Sequence, residues 1–416
     1  MKLAPLPGAD SFSSRSVPFL DFARQYRTIK DEVLSAIERV CDTQHFILGP
    51  DVEALENEIA AVTGAKAAVG CASGTDALWL ALVGAGIGPG DRVITTPFSF
   101  FASASSIVRA GAEPVFVDAR PDTLNISPEE VQSALGQRKP SQSRHGHGKR
   151  APRTLKKKIT AILPVHLFGQ CADMTALQSI ANEYQLTVIE DAAQAIGAKW
   201  LDRDAGSMGR TAAFSFYPTK NLSAYGEAGI ATTQDKKIAE HMRRLRTHGS
   251  PERYLHTEFG WNARLDAIQA AVLRIKLKHL ESWTRQRRER AATYDRLFSE
   301  AGLGAPMLAD VKLSKKDPLR RLATLPQATH VFHQYVVRAW RRDELRKFLA
   351  ERGIGSEVYY PIPLHLQPVF SYLGYKRGDL PESESAAREV LALPIFPELT
   401  ADEQKAVVQA IADFYS

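Results

Sequence analysis

The chain has 416 residues, 44% hydrophobic and 24% charged, an ordinary globular composition with room for one large domain and a smaller one. Its three cysteines, Cys41, Cys71 and Cys171, are scattered and odd in number, which excludes a disulfide framework and fits a reducing, cytoplasmic setting. The formal charge of +6 is uneven: residues 137–158 hold nine Lys/Arg and no Asp/Glu, and without them the net charge is −3. That segment is rich in Ser, Pro, Gly and His and reads as a solvated surface insertion. It has no aromatic residue to stack on bases, which speaks against nucleic acid as a partner. No metal-ligand spacing appears. Residues 1–19 lack the apolar core of a signal peptide, and no apolar run is long enough to span a bilayer, so no membrane association is expected.

In chain order, Ile29, Val33, Ile37 and Val40 recur at helical spacing and predict an amphipathic helix. Short apolar strands are expected at 67–71, 92–96, 114–118, 160–165, 187–191 and 212–216, with helical segments such as 76–84 and 174–184 between them. This βαβ rhythm predicts an α/β fold with a mostly parallel central sheet, covered on both faces, that binds ligands beyond the carboxyl ends of its strands. A long helix is expected at 266–281, a charged helix to 297 and a linker over 305–328. From His330 the pattern becomes a strand at 331–338, a helix at 343–352 and a strand at 354–360. A capping box, Thr400-Ala-Asp-Glu403, then starts a final helix to Phe414. The expected organisation is a large domain over 1–300 with an N-terminal helical segment and the basic insertion, then a linker and a small α+β domain over 301–416.

The chemistry concentrates at strand ends. Phe214-Ser-Phe-Tyr-Pro-Thr-Lys220 places a lysine after one apolar strand, and Thr187-Val-Ile-Glu-Asp191 ends a neighbouring one in a carboxylate. A lysine amine that forms a Schiff base and a carboxylate that keeps a ring nitrogen protonated are what pyridoxal phosphate (PLP) chemistry requires. Ser73-Gly74-Thr75 follows the first strand and opens a helix, where small residues let backbone amides approach an anion; a tight turn with capping residues would look the same. Phe98, Phe100 and Phe101 end the next strand, and one such ring can stack on a flat cofactor. Gln194, three residues beyond Asp191, can donate to a ring hydroxyl, and Ser215 can donate to a phosphate.

In that order these motifs resemble the DegT/DnrJ/StrS family of PLP-dependent nucleotide-sugar aminotransferases. The likeness runs from about Val17 to the C-terminus. It is carried by Phe46-Ile-Leu-Gly-Pro50, Ser73-Gly-Thr-Asp-Ala-Leu78, Gly88-Pro-Gly-Asp91, Pro164-Val-His-Leu-Phe-Gly-Gln170, Glu190-Asp-Ala-Ala-Gln194, Phe214-Ser-Phe216 with Lys220, Asn262-Ala-Arg-Leu-Asp266 and Leu393-Pro-Ile-Phe-Pro397. The resemblance implies a fold type I PLP enzyme, a homodimer with active sites at the subunit interface. It assigns the Schiff base to Lys220, the pyridine nitrogen to Asp191 and the ring oxygen to Gln194. Phosphate contacts fall to Gly74, Thr75 and Ser215, and stacking to Phe100. Asn262 is implied to reach the neighbouring subunit's cofactor phosphate, and Arg264 to face the sugar.

Two departures stand out. The family's Gly-Glu/Asp-Gly-Gly turn reads Gly226-Glu-Ala228-Gly229 here, so a positive φ at the third position would strain Ala228. The basic insertion has no counterpart in the family pattern. Val358-Tyr359-Tyr360-Pro-Ile-Pro-Leu-His365-Leu-Gln367 is similar to members that aminate C3 of 3-keto sugars, which makes Tyr359, Tyr360 and His365 candidate substrate contacts. The resemblance implies L-glutamate as amino donor and a nucleotide-diphosphate keto-sugar as acceptor, in amino-sugar biosynthesis for a surface polysaccharide or glycosylated metabolite. Two alternatives stand beside it: a sugar dehydratase of the same fold, whose members carry His where this chain has Lys220, and a regulatory or nucleic-acid-binding protein that uses the basic loop.

Overall fold

The computed structural model describes residues 16–136, 158–308 and 311–416. Except for Lys158, the basic insertion lies outside the described residues. Helix α1 (Phe22–Thr43) begins where the Asp21 carboxylate accepts from the Ala23 and Arg24 amides, and it buries Ile29, Val33, Ala36 and Val40. Then follow α2 (Pro50–Thr63), β1 (Ala67–Cys71), α3 (Gly74–Gly84), β2 (Asp91–Thr95), α4 (Ala102–Arg109), β3 (Glu113–Phe116) and α5 (Pro128–Gly136). After the insertion come β4 (Lys158–Leu163), α6 (Met174–Tyr184), β5 (Thr187–Asp191), β6 (Lys199–Trp200), β7 (Arg203–Asp204), β8 (Thr211–Ser215), β9 (Gly229–Thr233) and α7 (Lys236–Leu245). Helices α8 (Ala267–Leu277) and α9 (Leu280–Glu300) lead to β10 (Ala305–Pro306), β11 (Leu319–Arg321), β12 (Ala328–Thr329), β13 (Tyr335–Ala339), α10 (Arg342–Glu351), α11 (Pro381–Glu389), β14 (Val390–Leu393) and α12 (Ala401–Tyr415).

The main sheet has the order β1-β9-β8-β5-β4-β2-β3, and β9 alone runs against its neighbours. Alternate strand residues enter opposite apolar layers, as a period of two requires. Ile94, Ile162, Val188, Phe214 and Ile230 pack with α2, α6 and α8. Val93, Ala161, Ile189, Ala213 and Ala231 pack with α3 and α7. This is the expected α/β architecture, a parallel-rich sheet buried on both faces.

A second sheet, β10-β11-β13-β14, packs with α10 and α12. Its core also takes Tyr294 and Phe298 from α9, and Val17 from the start of the described chain. Several expectations need correction here. The long helix expected at 266–281 is broken after Leu277, and the second helix is the longer. The expected linker at 305–328 contributes β10 and β11 to this sheet. The strand expected at 354–360 is absent. That stretch makes only single bridges, Val17 to Ile354 and Glu357 to Ala392, while β14 takes the place beside β13. The capping box at Thr400 is present with both of its hydrogen bonds.

Candidate active site

Parallel strands end together, so β1, β2, β5 and β8 deliver their following residues to one edge of the sheet. These residues, with Tyr359 and Tyr360 from the C-terminal part, enclose a cavity of about 560 Å³. At the end of β1 the Ser73 hydroxyl accepts from the Asp76 amide at 3.1 Å and caps α3. Gly74 and Thr75 line the cavity at the N-terminus of that helix, where free amides and the helix dipole favour an anion. Space dictates glycine at position 74, because an added Cβ would lie 2.5 Å from the Ser215 Cβ. Gly229 is equally constrained, since a Cβ there would run into the Ser73 carbonyl. Ser215 lines the same cavity from the end of β8.

Asp191 ends β5, 4% exposed. Its Oδ2 accepts from the Ser103 hydroxyl at 2.7 Å and its Oδ1 from the Ala193 amide at 3.2 Å. Burial raises its pKa above the usual aspartate value, while those two bonds and the Lys220 charge oppose the rise. Lys220 sits in the turn after β8, its amide bonded to the Tyr217 carbonyl at 2.8 Å, and opens into the cavity. Burial lowers its pKa from 10.5 to about 8, against the pull of Asp191. A buried carboxylate and a lysine with a larger neutral, nucleophilic fraction near neutral pH thus share one enclosure.

Phe100 is 62% exposed and lines the cavity, whereas Phe98 is buried against the edge of Tyr360. The Gln194 amide is held at both ends: its Oε1 accepts from the Phe168 amide at 2.7 Å and its Nε2 donates to the Tyr360 hydroxyl at 2.8 Å. Phe168 and Tyr360 both have positive φ, 57° and 56°, and their rings stack. Two bulky residues in the left-handed region mark a strained, over-determined spot. The Tyr359 hydroxyl accepts from Gln334 at 3.0 Å.

Three sequence-derived candidates lie elsewhere. Asn262 is exposed and Arg264 half-buried, and neither lines the cavity of this chain. The Arg264 Nε is buried without a hydrogen-bond partner among the described residues. His365, expected to contact substrate, does not line this cavity either. The Leu364 amide bonds the Pro97 carbonyl at 2.8 Å, and this turn buries His365 with its Nε2 3.2 Å from Glu384. Ala228 also departs from expectation. It is buried without positive φ, its carbonyl accepting from the Phe216 amide at 2.9 Å, so alanine at the third position of the motif carries no left-handed strain.

Sequence reasoning missed Ser99, Ser103 and His333, all of which line the cavity. The His333 Nδ1 lies 3.3 Å from Asn221 Oδ1, and burial pushes its pKa well below the usual histidine value. The spacing of Ser99 and Ser103 by four residues at a helix start was the available signal. His333 carried none.

Known proteins match this chain along nearly its whole length. The sequence profile of the DegT/DnrJ/EryC1/StrS aminotransferase family matches residues 27–412. A pleiotropic regulatory protein of Geobacillus stearothermophilus is 49% identical over 400 residues, covering 96% of this chain and 99% of the relative. The dTDP-3-amino-3,4,6-trideoxy-alpha-D-glucose transaminase of Streptomyces venezuelae is 41% identical over 399 residues, 96% of each chain. The crystal structure of S. venezuelae DesV in complex with a ketimine intermediate superposes with a TM-score of 0.84 at 40% identity, covering 97% of this chain and 99% of that one. The chain belongs to the DegT/DnrJ/EryC1/StrS aminotransferase family.

Proposed function

We propose that this aminotransferase uses PLP to move an amino group from L-glutamate to C3 of a keto-sugar carried on a nucleoside diphosphate. The observation that carries the reading is Lys220 with a burial-lowered pKa in the same cavity as the buried carboxylate of Asp191. The donor set fits the coenzyme. The α3 N-terminus with Thr75 and Ser215 offers hydrogen bonds to a phosphate, and the glycine-only contact at Gly74 keeps that turn open. Asp191 would hold the proton on the ring nitrogen, Gln194 would meet the ring hydroxyl and Phe100 would cover a ring face. When bound, PLP supplies an aldehyde to take up the amino group and a ring that accepts the electron pair left by a departing α-proton.

In this reading Lys220 takes the proton from the amino acid's α-carbon and returns one to the acceptor side. That work needs a neutral amine, and a pKa of about 8 keeps a useful fraction neutral near physiological pH. Tyr359 and Tyr360 line the cavity and in this reading would meet the acceptor. The C3 assignment is supported by the 3-amino sugar named for the Streptomyces relative. Two copies would complete each site, with Asn262 and Arg264 supplied from the second chain. Those residues lie outside the cavity in a stretch that exposes Phe259 (99%) and Trp261 (52%), more apolar surface than water favours. The three scattered cysteines, Cys41, Cys71 and Cys171, suit the reducing, cytoplasmic setting proposed here. No helix among the described residues is long and apolar enough to cross a membrane.

The regulatory reading finds no observation to favour it over this catalytic arrangement, although one relative bears a regulatory name. The dehydratase reading requires His at the position of Lys220. The test is incubation of the PLP-loaded protein with glutamate and a panel of dTDP- and UDP-3-keto and 4-keto sugars, with products read by mass spectrometry. Amination of a 3-keto sugar supports the proposal. Amination of 4-keto sugars alone overturns the C3 assignment, and loss of water without nitrogen gain overturns the transferase reading.

A further inference from the structure

We propose that Ser99 and Ser103 form a directional hydroxyl relay that keeps the Asp191 carboxylate ionised and aimed into the cavity, with Ser103 as the positioning residue. The inference rests on the PLP reading above. Both serines are buried, 4% and 1% exposed, and both line the cavity. Their oxygens lie 2.7 Å apart, and the Ser103 hydroxyl lies 2.7 Å from Asp191 Oδ2. A hydroxyl carries one hydrogen, and an ionised carboxylate can only accept. The Ser103 hydrogen therefore goes to Asp191, and the hydrogen between the two serines comes from Ser99. Protonation of Asp191 would free the chain to run the other way, so the polarity of the relay is tied to the charge it supports.

The charged and titratable groups around Asp191 do not replace this donor. His166, after β4, directs its Nε2 to Glu190 at 2.9 Å. The Tyr360 hydroxyl, from the C-terminal part, accepts from Gln194 Nε2 and makes no hydrogen bond to Asp191 among the described residues. Lys220, after β8, acts on Asp191 through its charge and is the amine that the coenzyme would engage. Among the described residues, Ser103 and the Ala193 amide on the carboxylate's own loop are the hydrogen-bond donors that reach it. Ser103 is itself fixed at the start of α4, where its amide bonds the Phe100 carbonyl at 3.1 Å.

The test compares binding of PLP with binding of its 1-deaza analogue, which has carbon in place of the ring nitrogen, on full-length parent and variants. Ser103→Ala should weaken PLP about tenfold near neutral pH, the loss of roughly one charge-assisted hydrogen bond. It should leave the 1-deaza analogue within about twofold, because that ligand has no ring nitrogen for Asp191 to meet. The PLP deficit should shrink as pH rises, since Asp191 then ionises without help. Ser103→Thr keeps the hydroxyl and should restore binding, and Ser99→Ala should weaken PLP in the same direction by about threefold. Equal weakening of both ligands means a packing role and overturns the relay, as does parent-like PLP binding by Ser103→Ala. A parent that binds no PLP overturns the coenzyme reading and this inference with it, so the two failures are distinguishable.

Discussion

Glu190 offers the sharpest stability test, because this one buried carboxylate, next to Asp191 in β5, accepts from four donors. It is 0% exposed on β5. Its Oε2 accepts from His166 Nε2 and the Gly206 amide, both at 2.9 Å, and its Oε1 accepts from the Met208 amide at 2.7 Å and the Gly209 amide at 2.6 Å. His166 cannot reverse its role, since its Nδ1 already accepts from the Ala172 amide at 3.2 Å. In Glu190→Gln one oxygen becomes an NH₂ group, so two of the four donors lose their acceptor and face another donor. At about 1–3 kcal/mol for each buried donor left unsatisfied, the variant should be destabilised by roughly 2–6 kcal/mol. The pH dependence has a definite sign. Burial pushes the Glu190 pKa up, but the His166 bond and charge and the loop amides outweigh it and leave the group below its usual value. A folded-state pKa below the unfolded value of about 4.3 gives stability that is fully present above that pH and is lost as pH falls through the folded value. Urea unfolding of parent and variant, followed by far-UV circular dichroism between neutral and acidic pH, should show a gap that is widest at neutral pH and narrows in acid. A Glu190→Gln protein within about 0.5 kcal/mol of the parent at neutral pH would refute the reasoning.

The amine of Lys220 should react with PLP in coenzyme-free protein at a rate that rises with pH through about 8, the midpoint set by its burial; borohydride reduction and peptide mapping should place the adduct on Lys220 and find none in Lys220→Ala. A midpoint near that of a free lysine, or a dominant adduct on another residue, would contradict the assignment. Gly74→Ala should cost about 1–3 kcal/mol of stability by overpacking and weaken PLP retention, because the new methyl meets Ser215 at 2.5 Å; a thermal shift and a PLP titration check both effects. Mixing Asn262→Ala chains with Lys220→Ala chains should restore activity after subunit exchange, since one site of the mixed dimer then combines an intact Lys220 with an intact Asn262. Confirmed exchange with no recovery would argue against shared sites.

The sequence reveals the main sheet because most of its strands are short apolar runs bounded by turns, buried on both faces. It hides β9, which begins with Gly229 and ends Thr232-Thr233, so neither an apolar run nor alternation announces it. Strand β14 follows α11 without a breaking residue, since the helix ends at Glu389 and the strand starts at Val390. The mistaken strand at 354–360 has the right apolar spacing, but what decides pairing is the neighbour available across space. The Ile354 segment meets Val17, brought from the far end of the chain by hydrogen bonds at 2.9 and 2.8 Å. The break between α8 and α9 falls at Lys278-His279, where no Gly or Pro marks it.

The site divides along the same line. Gly74, Asp191, Ser215 and Lys220 are legible because each stands at or just past a strand end, and the parallel sheet alone is enough to bring such ends together. A residue whose role depends on one side-chain contact leaves no such mark. Ser103 meets Asp191 across 88 positions of sequence, and His365 is withdrawn from the cavity by Glu384 and the Pro97 carbonyl, which no local pattern links to it. Backbone topology therefore selects where the chemistry gathers. Which carboxylate stays charged and which histidine is walled off are decided afterwards by packing between elements distant in the chain. That is why the unpredicted Ser103 is the more informative residue to replace. Removing it leaves every strand end in place and takes away the side-chain hydroxyl that bonds the Asp191 carboxylate.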